Sequence, residues 1–520
     1  MSEKTAVVVG GGIAGLSTAA LLAKAGMKVK LFEAREALGG RAYMWEKDGF
    51  RFDMGPSWYL MPDAFEQFFN LMGTTAAKEL KLERLSPAYQ TLEEGDTKPL
   101  VLSNQLAEIK QMFDELEPGS AKKLQEYLDS AQEAYELSIK HFLYTNFKDL
   151  RSFVHPEVLA KLGKFLKLLT TSLYKFSSAY VKDDRLRKVL NFPAVFLGAS
   201  PYNTPSMYHL MTHVDMNQGV FYPQGGLYTI IEAAARLARE HGVEIHTSSP
   251  VTKIIAENGK AVGVQVGSSE YRADVVVASA DLHFVETKLL DKEHQSLPQA
   301  WWDKREPGPS ALLMYLGIKG KIPQLEHHTL LNAKNWGENF KDVFRKADGK
   351  SKVPNPASLY ICMPSKTDPS VAPEGMENIF VLVPIAADPG IGGSGDEKFE
   401  KAADQVIDQI ASWCQIPDLK DRIVVRRTMG PKDFENELNA WSGTALGMAH
   451  TLRQSAFFRP KNYSKKLKNL FYVGHNTIPG IGLPMCLIGA ELVYKHLTDD
   501  RSAGPIQGEL KPVKNWKGLS

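Results

Sequence analysis

The chain has 520 residues, 43 % of them hydrophobic and 23 % charged, the composition of a globular protein of two or three domains. Sixty-two Lys and Arg against 60 Asp and Glu leave a formal charge of +2, which excludes nucleic-acid binding as a whole-chain property. Cys362, Cys414 and Cys486 lie far apart with no CxxC pair, so neither a disulfide framework nor a metal site is expected, and a reducing compartment is. Nor is a secretory signal or a membrane-spanning helix expected, because there is no small-residue cleavage site and no run of 18 apolar residues.

In chain order, residues 5–9 are a β-branched apolar run that suits a strand buried on both faces. Glycines come next, then a helical pattern over 13–25 closed by Gly26, then a second strand over 28–33. This is a βαβ opening. Helical periodicity dominates about 100–200, where glycine is scarce. Within it, Leu159, Leu162, Leu166, Leu169, Leu173 and Phe176 recur at helical spacing over 156–179, with Lys161, Lys164, Lys167 and Lys175 mostly opposite. A basic amphipathic helix of this kind can rest in a lipid headgroup layer.

After Gly219 the pattern predicts a helix at 226–240, strands at 243–245, 251–256 and 261–266, and a buried strand at 274–279. Residues 295–455 are mixed, a last strand falls at 469–473, and a last helix at 485–497. The reading is an α/β chain with a Rossmann-like nucleotide-binding domain assembled from discontinuous segments, 1–75, 218–290 and 460–500. An α+β substrate-binding domain takes 76–217 and 291–459, its helical part facing a membrane, and 501–520 form a loosely ordered tail.

Gly10, Gly12 and Gly15 match GxGxxG between the first strand and helix. The first glycine serves the tight turn, the second the approach of backbone to a pyrophosphate, and the third close packing of helix on strand. Ile13 and Ala14 open the helix, whose N–H groups and positive dipole suit a diphosphate. Glu33 stands 18 residues after Gly15, close to the ~20 expected of an acid that holds ribose hydroxyls, and it disfavours NADP.

The residues beyond this acid separate NAD from FAD. Glu33-Ala34 leads into Gly39-Gly40-Arg41, and then comes Gly55-Pro56-Ser57-Trp58. These stretches resemble the flavoproteins with two dinucleotide-binding domains, a family that includes amine oxidases, protoporphyrinogen oxidase and carotenoid desaturases. The resemblance implies FAD, with Gly39-Gly40-Arg41 beside its diphosphate and Gly55 to Trp58 near the flavin. Such a turn brings N–H groups and one cation to an anion with no side chain intervening.

Residues 52–62, 219–228 and 469–485 are similar to segments of bacterial-type phytoene desaturases. In the last of these Gly474 ends a strand, Gly482 and Leu483 come after it, and Pro484 and Met485 open a helix whose amino terminus the resemblance aims at the flavin. The same resemblance places Val251 near the adenine. It implies FAD-dependent, stepwise dehydrogenation of phytoene towards lycopene in an apolar tunnel, with oxygen or a quinone as electron acceptor. The expected location is the cytoplasm, peripherally on the inner face of the cell membrane. Other carotenoid oxidoreductases (isomerase, ketolase or C30 desaturase) and flavin amine oxidase are the alternatives. For proton handling, residues 147–151 are similar to the family's F-x-D-x-x-R element with the arginine one place early, which marks Asp149 and Arg151. Asp215, Asp281 and His475 are further candidates at the flavin edge.

Overall fold

The computed structural model describes residues 3–148, 153–344 and 351–513. A five-stranded parallel sheet runs in the order Leu470–Tyr472, Val275–Ala278, Thr5–Val9, Lys28–Phe32, Glu244–His246. Strand Thr5–Val9 sits in the middle, and its side chains alternate between two cores. Ala6 and Val8 face helices Ile13–Lys24, Tyr228–Glu240 and Leu483–Thr498, while Val7 and Val9 face the antiparallel strands Val251–Glu257, Lys260–Val266 and Ser269–Arg272. Burial on both faces is what an unbroken β-branched run predicts.

A second sheet of seven strands runs Ile423–Met429, Ser310–Lys319, Met376–Ile385, Leu359–Cys362, His328–Asn332, Tyr89–Glu93, Leu100–Leu102. It is antiparallel except where His328–Asn332 meets Tyr89–Glu93 in parallel. Strand Ser310–Lys319 again alternates. Leu312, Met314 and Leu316 pack on helix Glu397–Trp413, while Leu313 and Tyr315 face the core shared with the parallel sheet. The two sheets draw on interleaved stretches of sequence and enclose a common interior.

Two expectations need correction. The amphipathic segment is not one helix but three, Pro156–Ala160, Leu162–Thr170 and Leu173–Ser177. Thr171 turns extended at φ −97° and ψ 138°, because Ser206 N–H donates to its carbonyl and Leu173 N–H donates to Thr204. Ser172 then caps the third helix by accepting from Lys175 N–H. Pairing with a distant segment overrides helical periodicity here. The second correction concerns the tail, whose described part, 501–513, is tied down. Glu491 and Lys495 are buried on the last helix and need partners: Glu491 accepts from Ile506 N–H, and Lys495 Nζ donates to the carbonyls of Ser502 and Gly504. Val513 N–H closes on the Ala25 carbonyl.

Candidate active site

A cavity of about 1070 Å³ lies between the two sheets, walled by the carboxyl ends of the parallel strands and by one face of the seven-stranded sheet. The crevice beyond the carboxyl ends of parallel strands is where open α/β sheets bind ligands. Gly10, Gly12, Ile13, Ala14, Glu33, Ala34, Gly39, Gly40, Arg41, Gly55, Pro56, Ser57, Trp58, Val251, Gly474, Gly482, Leu483, Pro484 and Met485 all line it. Gly15 does not; it stands behind the wall.

The glycines fall into two sets. A Cβ on Gly15 would lie 2.0 Å from the Gly10 carbonyl oxygen, one on Gly10 3.0 Å from Ala280 N, and one on Gly55 2.4 Å from the Arg41 carbonyl oxygen. These positions hold backbone against backbone. A Cβ on Gly12 would meet only the Gly39 carbonyl oxygen at 3.8 Å, one on Gly474 only that of Ser279 at 3.9 Å, and one on Gly482 only Pro484 Cδ at 3.7 Å. Side chains there would fill the cradle itself, so their absence leaves room for a ligand. Gly12 caps helix Ile13–Lys24 with no side-chain acceptor and no acid in its first turn, and Gly482 does the same for Leu483–Thr498. Both helices therefore present uncapped N–H groups and positive dipole ends to the cavity.

Glu33 is buried at the end of its strand. Its Oε2 accepts from Gly11 N–H at 2.6 Å and its Oε1 from Arg35 N–H at 2.9 Å, which fixes the carboxylate at the cavity wall. Beside the glycine turn, Arg41 Nε donates to the Ala445 carbonyl at 3.0 Å and Nη2 lies 3.4 Å from Asp281 Oδ2. His475 Nε2 is 3.5 Å from that same oxygen. Burial pushes the Asp281 carboxyl up, but neighbouring His475 and Arg41 outweigh it and hold the group below the usual range. Burial, aided by the Arg41 charge, lowers His475 to about 4, so its imidazole is neutral at pH 7.

The 52–62 and 219–228 runs meet at Asp53. It accepts from Leu227 and Tyr228 N–H at 2.7 and 2.9 Å, and burial raises it to about 6. A Cβ on Gly226 would lie 2.7 Å from its Oδ2. Ser57 accepts from Tyr360 at 2.9 Å, and Trp58 stacks on His328.

Asp215 is brought elsewhere. It is buried away from the cavity wall, accepts from Tyr89 at 2.8 Å, and burial pushes it up to about 7. Asp149 and Arg151 lie outside the described residues. Sequence reasoning missed Tyr208, His450 and Ser455, which line the cavity, and Arg35, whose guanidinium lies over the Tyr43 ring. Arg35 carries a signal, two places after Glu33; the others come from unrelated segments with no spacing to read.

At the other end the wall is apolar and open. Phe142, Phe153, Leu159, Leu162, Leu166 and Phe457 line it, with Leu162 45 % and Leu166 53 % exposed. The lysines of this segment are less free than the sequence suggests, since Lys161 and Lys164 both bridge Glu133.

Residues 13–492 match the family of flavin containing amine oxidoreductases. The chain is 40 % identical over 501 residues to a carotenoid 3,4-desaturase of Haloarcula japonica, covering 96 % of this chain and 99 % of that protein. It is 35 % identical over 495 residues to a zeta-carotene-forming phytoene desaturase of Myxococcus xanthus, covering 94 % and 93 %. The solved structure of an oxidoreductase from Methanosarcina mazei shares the fold, with a TM-score of 0.62 and 18 % identity, over 94 % of this chain and 100 % of that one. A cradle of bare main chain, two uncapped helix ends and a buried acid fit a dinucleotide, and the family makes that dinucleotide FAD. The chain belongs to the flavin containing amine oxidoreductases, in their carotenoid desaturase branch, and is an FAD-dependent oxidoreductase.

Proposed function

We propose that the protein desaturates an acyclic carotenoid, taking phytoene stepwise towards lycopene. The observation that carries this reading is the continuity of the cavity: its glycine-walled end and its exposed apolar end belong to one space of about 1070 Å³. That exceeds the roughly 300–1,000 Å³ of ordinary ligand sites, as a space for a dinucleotide and a long hydrocarbon would. When bound, FAD supplies the hydride acceptor for oxidation of a CH2–CH2 unit.

The protein's own part is to hold, orient and keep dry. Gly12, Ile13 and Ala14 would hold the diphosphate by main-chain N–H groups, Glu33 the ribose, and the Gly482–Met485 helix end the flavin ring. His475 and Arg41 keep Asp281 ionised, and His475 presents its buried Nε2 3.5 Å from that carboxylate. This pair is our candidate for taking up the substrate proton. Asp149 and Arg151, two and four places after Phe147 in the sequence, are the alternative pair. An Asp149→Asn variant that keeps full turnover would favour Asp281 and His475.

The polyene has no polar handle, so selection rests on tunnel shape, and entry on contact with the lipid that dissolves it. We place the rim of Leu159, Leu162, Leu166 and Phe458 on the inner face of the cell membrane, a docking by side chains alone because no described helix is long and apolar enough to cross a bilayer. Oxygen or a membrane quinone takes the electrons, a choice read by comparing reoxidation rates with each.

A second reading, desaturation at the 3,4 position of an already conjugated carotenoid, is favoured by the higher identity to the Haloarcula protein. Expression in a host that makes only phytoene, and in one that makes only lycopene, separates the two. Coloured products from phytoene support the first reading. Product two hydrogens lighter from lycopene, with phytoene untouched, supports the second.

A further inference from the structure

On the inner side of Trp58, away from the cavity, the seven-stranded sheet brings together three side chains with no readable spacing. His328 opens strand His328–Asn332 directly opposite Cys362, the last residue of its antiparallel neighbour, and His327 precedes it. All three are buried, and one ligand atom of each lies within 4.8 Å of the other two. The rings are clamped: His328 stacks on Trp58 at 3.9 Å between centroids and 12° between planes, and His327 packs edge-on against Tyr222 at 4.7 Å.

The hydrogen bonding engages the same nitrogen, Nδ1, of both imidazoles. His328 Nδ1 lies 2.8 Å from the Tyr360 hydroxyl, which donates its own proton to Ser57 at 2.9 Å, so the Tyr360 oxygen accepts from Nδ1–H. His327 Nδ1 lies 2.8 Å from the Thr367 hydroxyl. Nδ1 of each ring is thus engaged by a hydroxyl while both Nε2 atoms are buried without a partner, so a proton on Nδ1 would leave the lone pair on Nε2. A hydroxyl on Nδ1 fixing the tautomer of an imidazole whose Nε2 is free is the outer arrangement of a metal ligand.

We propose that His327, His328 and Cys362 form a buried soft-metal site that takes one Cu(I) ion. Two neutral imidazoles and one thiolate suit a soft cation, and three ligands satisfy its low coordination number. On binding, the Cys362 S–H bond is exchanged for a metal–sulfur bond and one proton leaves, so thiolate and Cu(I) sum to zero charge, as a dry interior requires. Zn(II) would leave a net positive charge and lack a fourth ligand. Two carboxylates lie nearby and both are already engaged: Asp53, which borders the same void of about 10 Å³ as Cys362, accepts from Leu227 and Tyr228 N–H, and Asp368, on the His327 side, accepts from Gly225 and Ser370 N–H and from the Tyr222 hydroxyl.

The test is anaerobic titration of the flavin-loaded full chain with Cu(I), in competition with a coloured Cu(I) chelator, and a parallel titration with Zn(II). One Cu(I) per chain, one proton released and an ultraviolet thiolate-to-copper band are expected. Cys362→Ser should weaken binding at least about 100-fold and Tyr360→Phe roughly 10-fold, as for a ligand and its orienting partner. Cys414→Ser, remote in the second core, should bind as the wild type does. Because Cys362→Ser could unfold, the wild-type result decides by itself. No stoichiometric Cu(I) in the wild type, Zn(II) bound in preference, or Cu(I) retained in Cys362→Ser at Cys486 would each overturn the proposal.

Discussion

Near residues 10–14 the cavity wall is main chain, glycine and the Arg41–Asp281 ion pair; near residues 159–169 it is leucine and phenylalanine, half open to solvent. The contrast reflects the chemistry each end is suited to receive. A diphosphate is recognised by N–H groups at fixed positions, which requires particular backbone paths and missing Cβ atoms. A hydrocarbon offers nothing to hydrogen-bond, so its end of the cavity requires apolar surface and an opening, and many packings satisfy that. The first kind of wall is sensitive to single atoms and the second to summed area.

The sharpest break of that comparison lies between two glycines three residues apart. Gly12 has φ −73° and ψ 173°, an extended conformation that any residue adopts, and its Cβ would point into the cradle. Gly12→Val should therefore fold normally yet bind FAD at least about 100-fold more weakly, the equivalent of two charge-assisted hydrogen bonds lost. Flavin absorbance of the purified protein and titration of added FAD measure this. Gly15→Val, whose Cβ would overlap the Gly10 carbonyl, should instead cost about 1–3 kcal/mol of stability or more and lower Tm by several degrees. Equal effects on Tm from both variants would show that the cradle is a packing feature.

Acidification probes both ends at once. His475 at the glycine-walled end and His209 beneath the rim helices are each lowered to about 4, chiefly by burial. The folded protein keeps them neutral while the unfolded chain protonates them below about 6.5. Stability is therefore full above pH 6.5 and falls as the pH drops towards 4, by roughly 2–3 kcal/mol per histidine. Urea midpoints across that window measure the slope. His209→Gln and His475→Gln should each flatten it, and a slope unchanged in both variants would mean that other groups carry the acid sensitivity.

At the rim, Leu162→Glu with Leu166→Glu should reduce partitioning onto vesicles at least tenfold, since each half-exposed leucine still has about 1 kcal/mol of apolar area to bury in lipid. Flavin content and Tm should stay unchanged, because neither side chain is buried in the folded protein. Flotation of the double variant at wild-type levels would count against this rim as the docking surface.

The same contrast explains how much of the site is legible in the sequence. The cradle is legible because its requirements are local: Gly10, Gly12 and Gly15 announce themselves by spacing, and Glu33 by its distance from them. The meeting of Asp53 with Gly226 is half legible, as two motifs whose contact no spacing reveals. The rim is legible as periodicity but not as structure. Thr171 is pulled extended by residues 204–206, and a pattern of apolar residues contains no information about so distant a partner. Tyr208 and His450, which meet edge to face at 5.8 Å, come from segments more than two hundred residues apart and carry no motif.

The smallest expected effect tests how far charge assists the rim. An unpaired lysine near an anionic headgroup layer contributes ~1 kcal/mol. Lys161 and Lys164 are both committed to Glu133, one at 2.7 Å, so the three side chains together present a single positive charge. Removing both lysines uncovers Glu133 and takes the local charge from +1 to −1, so the loss should be large whether the bridge dissolves on docking or not. If it persists, as the partly buried Glu133 favours, Lys161→Ala with Glu133→Gln should change partitioning onto anionic vesicles by no more than about twofold, because net charge is conserved. Lys167→Ala with Lys175→Ala, both exposed, should weaken it about fivefold or more and only at low salt. The leucines would then set the depth of docking and two lysines its preference for anionic lipid; a loss from Lys161→Ala with Glu133→Gln as large as that from Lys167→Ala with Lys175→Ala would mean that the bridge to Glu133 opens at the membrane.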